Sequence, residues 1–378
     1  MSVAKPFRAE DWWIGKASLL IGLVYLFTIY FQISFERFGI WACCSLITII
    51  GFASLGYLVN DYFDLEKDKL ANKKNFLKHK SAVQQAVYLS IALLLLFAPW
   101  YFLPYDFFTI ALMLLQLLLY VLYSLPVIRL KERGLWGLIT DALYAHSIPV
   151  LMAVHTYALI SSKPLNITFI VLLFAWQFCV GLRNILLHQL NDSDSDRVSG
   201  TKTFTNKYNI HTSTHFLTGL RITELALLLF LIAILYLQNQ WFLITFLGVS
   251  LSLLLFFSMD KNNGYRFYFP NLLYDHLLPL SFIVILSLRD IRFLFLFPIQ
   301  LLLFSGKWLL TLLESFELQY RWSQIKNGSS RAFHTIFGRF KLGVNRLIYN
   351  CFKQIGVDLI NEKTDAKGYI LRQLNRKK

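Results

Sequence analysis

An all-α polytopic membrane protein is the fold class the sequence predicts, and three observations carry it. Hydrophobic residues make up 56% of the 378 and charged ones only 16%, with a mean hydropathy of +0.51. A soluble domain of this size has no room to bury so much apolar surface. The apolar residues gather into windows of about 20, the length that crosses a bilayer as helix. Lys and Arg lie mainly in the short segments between those windows, as they do beside membrane helices. The expected structure has nine or ten transmembrane helices and a C-terminal amphipathic helix.

The windows fall near 14–34, 39–60, 82–103, 106–126, 136–158, 166–190, 214–237 and 240–259. The stretch 272–313 is one span or two, 272–288 and 293–313, parted by Arg289, Asp290 and Arg292. Ahead of the first span, Arg8, the pair Trp12-Trp13 and Lys16 read as the interfacial anchor of a retained helix, without the cleavage site of a signal peptide. Basic residues crowd the N-terminus and the loops after the second, fourth, sixth and eighth spans, whereas the other side shows little beyond Arg37, Lys163, Arg289 and Arg292. By the positive-inside rule the N-terminus and the even-numbered loops face the cytoplasm, and the basic tail favours ten spans. The net charge of +15 invites nucleic acid, but charge held in interhelical loops suits a lipid bilayer or diphosphates instead. No nucleic-acid partner is expected. Cys43, Cys44, Cys179 and Cys351 have neither metal-binding nor disulfide spacing.

Two acidic stretches stand at span ends. Asn60-Asp61-Tyr62-Phe63-Asp64-Leu65-Glu66-Lys67-Asp68 follows the second span, and Asp192-Ser193-Asp194-Ser195-Asp196 the sixth. On a helix Asn60, Asp64 and Asp68 recur every four residues, with Asp61 three before Asp64, so the four share one face. Like charges there repel, and a divalent cation relieves the repulsion because hard cations take carboxylate oxygens. One such stretch is as readily a solvated helix end. Two at the same membrane depth suggest a diphosphate held between them. The loop after the fourth span offers cationic partners, since Pro126 ends or kinks the helix and Arg129 and Lys131 follow. An ordinary positive-inside loop would carry the same residues. The clusters lie four spans apart, which suggests two four-helix units with the site at their interface.

Asn60-Asp61, Asp64 and Asp68 match, position for position, the N-D-x-x-D-x-x-x-D motif of the UbiA superfamily of intramembrane prenyltransferases. Asp192, Asp196, Gly200 and Thr203 resemble its second acidic motif, and Tyr123, Pro126 and Lys131 resemble the Y-[ST]-x-P-x-x-x-L-K loop between the two. The resemblance covers roughly residues 10–300. Ser195 stands where many members have Gly and Asp194 where Glu is frequent, and His188-Gln189 differs from the Arg/Asn types of quinone-pathway members.

The resemblance implies a helical bundle around a central cavity. It assigns Asp61, Asp64, Asp68, Asp192 and Asp196 to Mg²⁺ ions on the diphosphate of a prenyl diphosphate donor. Asn60, Arg197 and Lys202 are the candidates to bind alongside them, and Tyr123, Arg129 and Lys131 the catalytic candidates. The implied reaction is Mg-dependent transfer of the prenyl group to an acceptor within the membrane, with release of diphosphate. The chemistry agrees, because breaking an allylic C–O bond needs a leaving group whose charge is neutralised and aromatic faces to stabilise the cation. The acceptor is not readable, since aromatic acids, haem, chlorophyllide, glycerophospholipid precursors and sugar phosphates are all accepted somewhere in the family. A transporter using intramembrane acids is the competing class, but it would carry them near mid-span. Arg183, inside the sixth span, is expected to face the cavity or an acid partner, and His188 reads either as a satisfied polar residue at the helix end or as a contact to the acceptor or the metal shell.

The expected membrane domain is 1–313, and 314–378 is a basic tail outside the resemblance. Its apolar residues recur at helical spacing from Phe333 to Ile355, with Arg339, Arg346 and Lys353 on another face. That is an amphipathic helix suited to an anionic membrane surface.

Overall fold

Apolar runs become helices at nearly the places their composition predicts. The computed structural model describes residues 6–70, 74–198, 200–208, 210–258 and 273–305; the tail helix of 333–355 and the boundary at 313 lie outside them. Among the described residues all regular structure is helical. A π-type turn at Trp13–Ala17 leads into α1 (Ser18–Tyr30), followed by α2 (Phe35–Leu70), α3 (Ala82–Phe97) and α4 (Phe107–Ser124). α5 (Leu135–Ala142) and α6 (Ile148–Ser161) join through a second π-type turn at Leu143–Ser147. α7 (Ile167–Val198), α8 (Ile210–Gln238), α9 (Leu243–Ser258), α10 (Leu278–Arg289) and the short α11 (Leu296–Gln300) follow.

Among the described residues six helices are long and apolar enough to cross a membrane: α2, α3, α4, the joined α5–α6, α7 and α8. The stretches Gly15–Tyr30, Gln240–Ser250 and Ile291–Phe304 coincide with further expected spans but fall short of that length. Turns of 3-10 or π type at Trp13–Ala17, Gln240–Phe242 and Ile291–Phe295 interrupt them. α2 and α7 overrun their apolar windows and carry both acidic clusters as helix. In α2 the extension is built from good helix formers, Leu65-Glu66-Lys67, with Lys67 and Lys69 where they complement the C-terminal end of the helix dipole.

Close backbone approach sets the bundle. α8 packs along α7, α3 along α2 and α10 along α1. A Cβ at Gly51 would lie 2.4 Å from the Leu96 backbone nitrogen, so only glycine lets α2 and α3 meet there; small residues serve this purpose between membrane helices. Gly51→Val is expected to force the pair apart at a cost of about 1–3 kcal/mol, read as a lower melting temperature in detergent.

The N-terminal segment departs from expectation. Trp12 is buried, its indole N–H donating to the Phe7 carbonyl at 2.9 Å, and the Trp13 N–H donates to the Leu303 carbonyl at 2.9 Å. The pair ties residues 7–13 into the bundle instead of anchoring them in the interface, because the segment folds back over the polar end of the cavity. Cys44 is buried, whereas Cys43 is exposed.

At the other end of the bundle Asp106 caps α4. Its carboxylate accepts the Thr109 N–H at 2.9 Å and bonds His155 of α6 at 2.9 Å. The Thr109 N–H, with help from His155, holds the Asp106 carboxyl down at about 2. A depressed carboxyl stabilises the fold above its unfolded value and loses that contribution as pH falls through the folded one. The tie is thus present above pH 4 or so and vanishes toward pH 2. Asp106→Ala is expected to cost about 1 kcal/mol, with the difference from wild type shrinking in acid melts.

Candidate active site

One cavity of about 740 Å³ opens among α1, α2 and α4 on one side and α5, α6 and α7 on the other. Its polarity is layered along α2. Asp68, Asp64 and Asn60 line the outer end, Tyr57 the middle, and Phe52 and Ile49 the inner end. α7 repeats the order with Asp196 and Asp192 outermost and Asn184 deeper. The inner end is apolar, with Val24, Phe27, Met152 and Trp100 on its walls.

The loop between α4 and α5 delivers two cations to α2. Pro126 pushes Leu125 out of helical geometry (ψ 123°) and ends α4. Arg129 then takes left-handed geometry (φ 44°, ψ 60°), a strained conformation of the kind that collects at functional sites. Gly134, at φ 60° and ψ −114°, occupies a region that suits glycine and returns the chain to α5. The result is a buried cluster. Asp64 accepts from Arg129 Nη2 at 2.6 Å and from the Lys131 ammonium, and Lys131 also donates to Asn60 Oδ1 at 3.0 Å. Glu132 braces the loop, accepting from Arg129 Nε at 2.5 Å and Lys67 Nζ at 2.6 Å. Burial pushes the Lys131 ammonium below its ordinary value, and Asp64 beside it restores only part of the shift. Burial alone would raise Glu132, but the bonds from Lys67 and Arg129 outweigh it and hold its carboxyl low.

Asp61 does not share the cavity face. It lies about 100° around the helix from Asn60, at the edge of the acidic face. There it accepts from Arg8 Nη1 at 3.0 Å and from the Phe76 N–H at 2.8 Å, and it is 1% exposed. The same turn touches Asp68, whose carboxylate accepts from Asn75 Nδ2 at 2.8 Å while remaining on the cavity wall. On the opposite side Asp192 and Asp196 line the cavity together with Thr201 and Thr203. The Thr201 N–H bonds the Asp196 carbonyl at 2.8 Å, folding the motif's end onto α7. Arg197 and Lys202 are exposed and stand off the cavity wall. His188 lines it, with Nε2 3.6 Å from Asp192 Oδ2. Arg183 has found an acid, Glu224 of α8 at 2.9 Å, where both are 1% exposed.

The geometry thus gathers Asn60, Asp64, Asp68, Tyr123, Arg129, Lys131, Asp192 and Asp196 around one cavity, and leaves Asp61, Arg197 and Lys202 outside it. Sequence reasoning missed Arg8, Asn75, Lys16, Asp141 and Tyr144; of these, the lone acid in an apolar run, Asp141, carried the one legible signal.

Among the described residues no three carboxylate or imidazole groups converge as around a single ion. The donor set still fits Mg²⁺, which keeps waters and takes one or two carboxylates together with substrate phosphate oxygens. Asp64, Asp68, Asp192 and Asp196 supply hard oxygens from two facing helices. Below them Tyr120 and Tyr123 pack edge-on against Tyr144, with ring centroids 4.8 and 5.3 Å away, giving the cavity aromatic walls.

Two structures of a UbiA homologue from Archaeoglobus fulgidus resemble this one, one bound to GPP and Mg²⁺ and the other to DMAPP and Mg²⁺. In each case the likeness spans 75% of this chain and 98% of that one, at 16% identity and a TM-score of 0.51. It shows the fold. No curated protein sequence matches the chain. The profile of the UbiA prenyltransferase family matches residues 17–269, more than half of the 378 and both acidic clusters. With six crossing-length helices among its described residues, this multi-pass integral membrane protein belongs to the UbiA prenyltransferase family.

Proposed function

We propose that the protein transfers a prenyl group from an isoprenyl diphosphate to an acceptor within the membrane, with Mg²⁺, and releases diphosphate. One observation carries this reading. Carboxylates of α2 and α7 and the cations Arg129 and Lys131 meet at one end of a cavity whose other end is apolar. That polarity matches a donor with a charged head and a hydrocarbon tail, and the homologue bound to GPP or DMAPP with Mg²⁺ supports it.

Asp64, Asp68, Asp192 and Asp196 would hold Mg²⁺, which would supply neutralisation of the diphosphate charge. Arg129 and Lys131, turned from Asp64 to the diphosphate oxygens, favour departure of the leaving group. The allylic C–O bond breaks with its electron pair going to diphosphate. The allylic cation faces Tyr120, Tyr123 and Tyr144, whose rings stabilise positive charge. An acceptor nucleophile then forms the new bond at C1 and gives up a proton.

The same reading puts the N-terminus and both acidic motifs on the cytoplasmic side, because the basic loops lie there. It makes 1–313 the catalytic unit with ten crossings, and 314–378 an appended surface helix. The test is purified protein with radiolabelled geranyl diphosphate, with and without Mg²⁺. Mg-dependent diphosphate release is expected. Ion flux in proteoliposomes without any such release would overturn the proposal in favour of a transporter.

A further inference from the structure

A second cavity, of about 570 Å³, opens at the end of the bundle opposite the acidic clusters. Its size lies within the roughly 300–1,000 Å³ of ligand sites. Three helices end at it: α1 at Tyr30, α8 at Gln238 and α10 at Arg289. The Tyr30 side chain is hydrogen-bonded to that of Gln238, which ties the first two ends together. Gln32, in the turn after α1, takes left-handed geometry (φ 56°), at a place in helix ends that usually falls to glycine. Its carbonyl accepts from Arg289 Nη2 at 3.0 Å. Arg289 is exposed, and among the described residues its other N–H groups bond nothing. The nearby Arg292 is neutralised instead, by Asp290 and Glu36 at 2.7 Å each. Trp241 lines the cavity and is 49% exposed, while Ile29, Phe242 and Leu286 line it as buried side chains. Next to the lining residues along the chain, Leu237, Leu243 and Leu288 are exposed.

Arg289 by itself would be the ordinary cation at a helix C-terminus. The convergence of three such ends around an open cavity changes the balance. Each C-terminus carries about half a negative charge, so the three together set about −1.5 against the single positive charge of Arg289. The protein's own field there is slightly negative, and a headgroup of net negative charge gains nothing over a neutral one. A phosphodiester that carries an ammonium answers both signs. Its phosphate takes the unspent N–H groups of Arg289, as guanidinium and phosphate geometry favour. Its ammonium takes the last carbonyls of the helices, which lack intrahelical donors, and the face of Trp241. The exposed leucines continue the site toward hydrocarbon, and a Trp at this depth is typical of the headgroup level.

We propose that this cavity binds the headgroup of a zwitterionic phospholipid, which clamps the ends of α1, α8 and α10 together. Arg289 receives the phosphate, and Trp241 with the helix carbonyls receives the ammonium. The acyl chains leave along Leu237, Leu243 and Leu288. Val24 and Phe27 of α1 also wall the central cavity, so the lipid braces that wall from the far end. The site holds no reacting group and stands whether or not the central cavity transfers a prenyl group.

The test uses the full chain, delipidated in detergent. Native mass spectrometry counts bound lipid as dioleoyl phosphatidylethanolamine, dioleoyl phosphatidylglycerol or dioleoylglycerol is titrated in. The first equivalent of phosphatidylethanolamine is expected to bind about tenfold or more tighter than dioleoylglycerol, the scale of hydrogen bonds to a charged group. It should bind about fivefold tighter than phosphatidylglycerol, the scale of one cation–π contact, and raise the melting temperature. Arg289→Gln should erase the margin over dioleoylglycerol, and Arg289→Lys should keep most of it. Trp241→Leu should bring phosphatidylethanolamine down to the level of phosphatidylglycerol. Arg37→Gln removes an exposed cation from the same end outside the cavity and should change none of these ratios. Wild-type protein that binds phosphatidylglycerol or dioleoylglycerol as tightly as phosphatidylethanolamine would overturn the proposal, whether or not the Arg289 variants fold. So would Arg37→Gln weakening the lipid as much as Arg289→Gln, which would mean a diffuse basic surface.

Discussion

Asp64→Ala is expected to cut diphosphate release by at least about 10²–10³-fold, the scale of losing a group that stabilises developing charge. Two effects combine. The substitution removes an oxygen donor from the acidic face of α2. It also strips the shared counter-charge from Arg129 and Lys131, which are each 8% exposed. Breaking a buried ion pair from one side costs about 3–5 kcal/mol, so the variant should melt earlier without ligand. Inorganic diphosphate should restore part of that stability by supplying the missing negative charge. Asp196→Ala, on the facing helix, should lose turnover likewise. An Asp64→Ala protein with wild-type release would remove the acidic face of α2 from the mechanism.

Lys131→Ala should raise the donor KM and lower kcat, together by about 10²–10³-fold in kcat/KM. The ammonium is held at the outer end by Asp64 and Asn60 and has no competing role in the membrane helices. Lys163→Ala is the matched control. Lys163 is exposed at the other end of the bundle and donates to Gln32 Oε1 at 3.1 Å, so its loss should leave both constants unchanged. Similar values for the two variants would reduce Lys131 to a topology charge.

Most of the helical order was legible because apolar windows and helical periodicity are local properties. The acidic clusters were legible for the same reason, since four-residue spacing on one helix is a matter of sequence alone. What was not legible depends on contacts between segments far apart in the chain. Asp61 belongs to the motif by spacing, yet Arg8 and the Phe76 N–H, 53 and 15 residues away, claim its carboxylate. Trp12 and Trp13 looked interfacial by composition, and the fold-back of their segment buries Trp12. Lys16 and Asp141 are single charges 125 residues apart in number, and no spacing rule joins them. Hydropathy also averages over breaks that the backbone does not, as at the turns Trp13–Ala17 and Gln240–Phe242, so composition alone could not say which apolar windows run as one unbroken helix.

The overrun of α2 has a kinetic meaning. Its 36 residues extend about 54 Å, against about 30 Å of hydrocarbon, so the acidic end stands proud of the lipid. Under the proposed chemistry the two products then separate along opposite routes. Diphosphate is shed directly into water with its ions, where it is diluted, while the prenylated product stays in the hydrocarbon. Recombination requires both to return to one cavity at once, so the length of a single helix gives the transfer its direction.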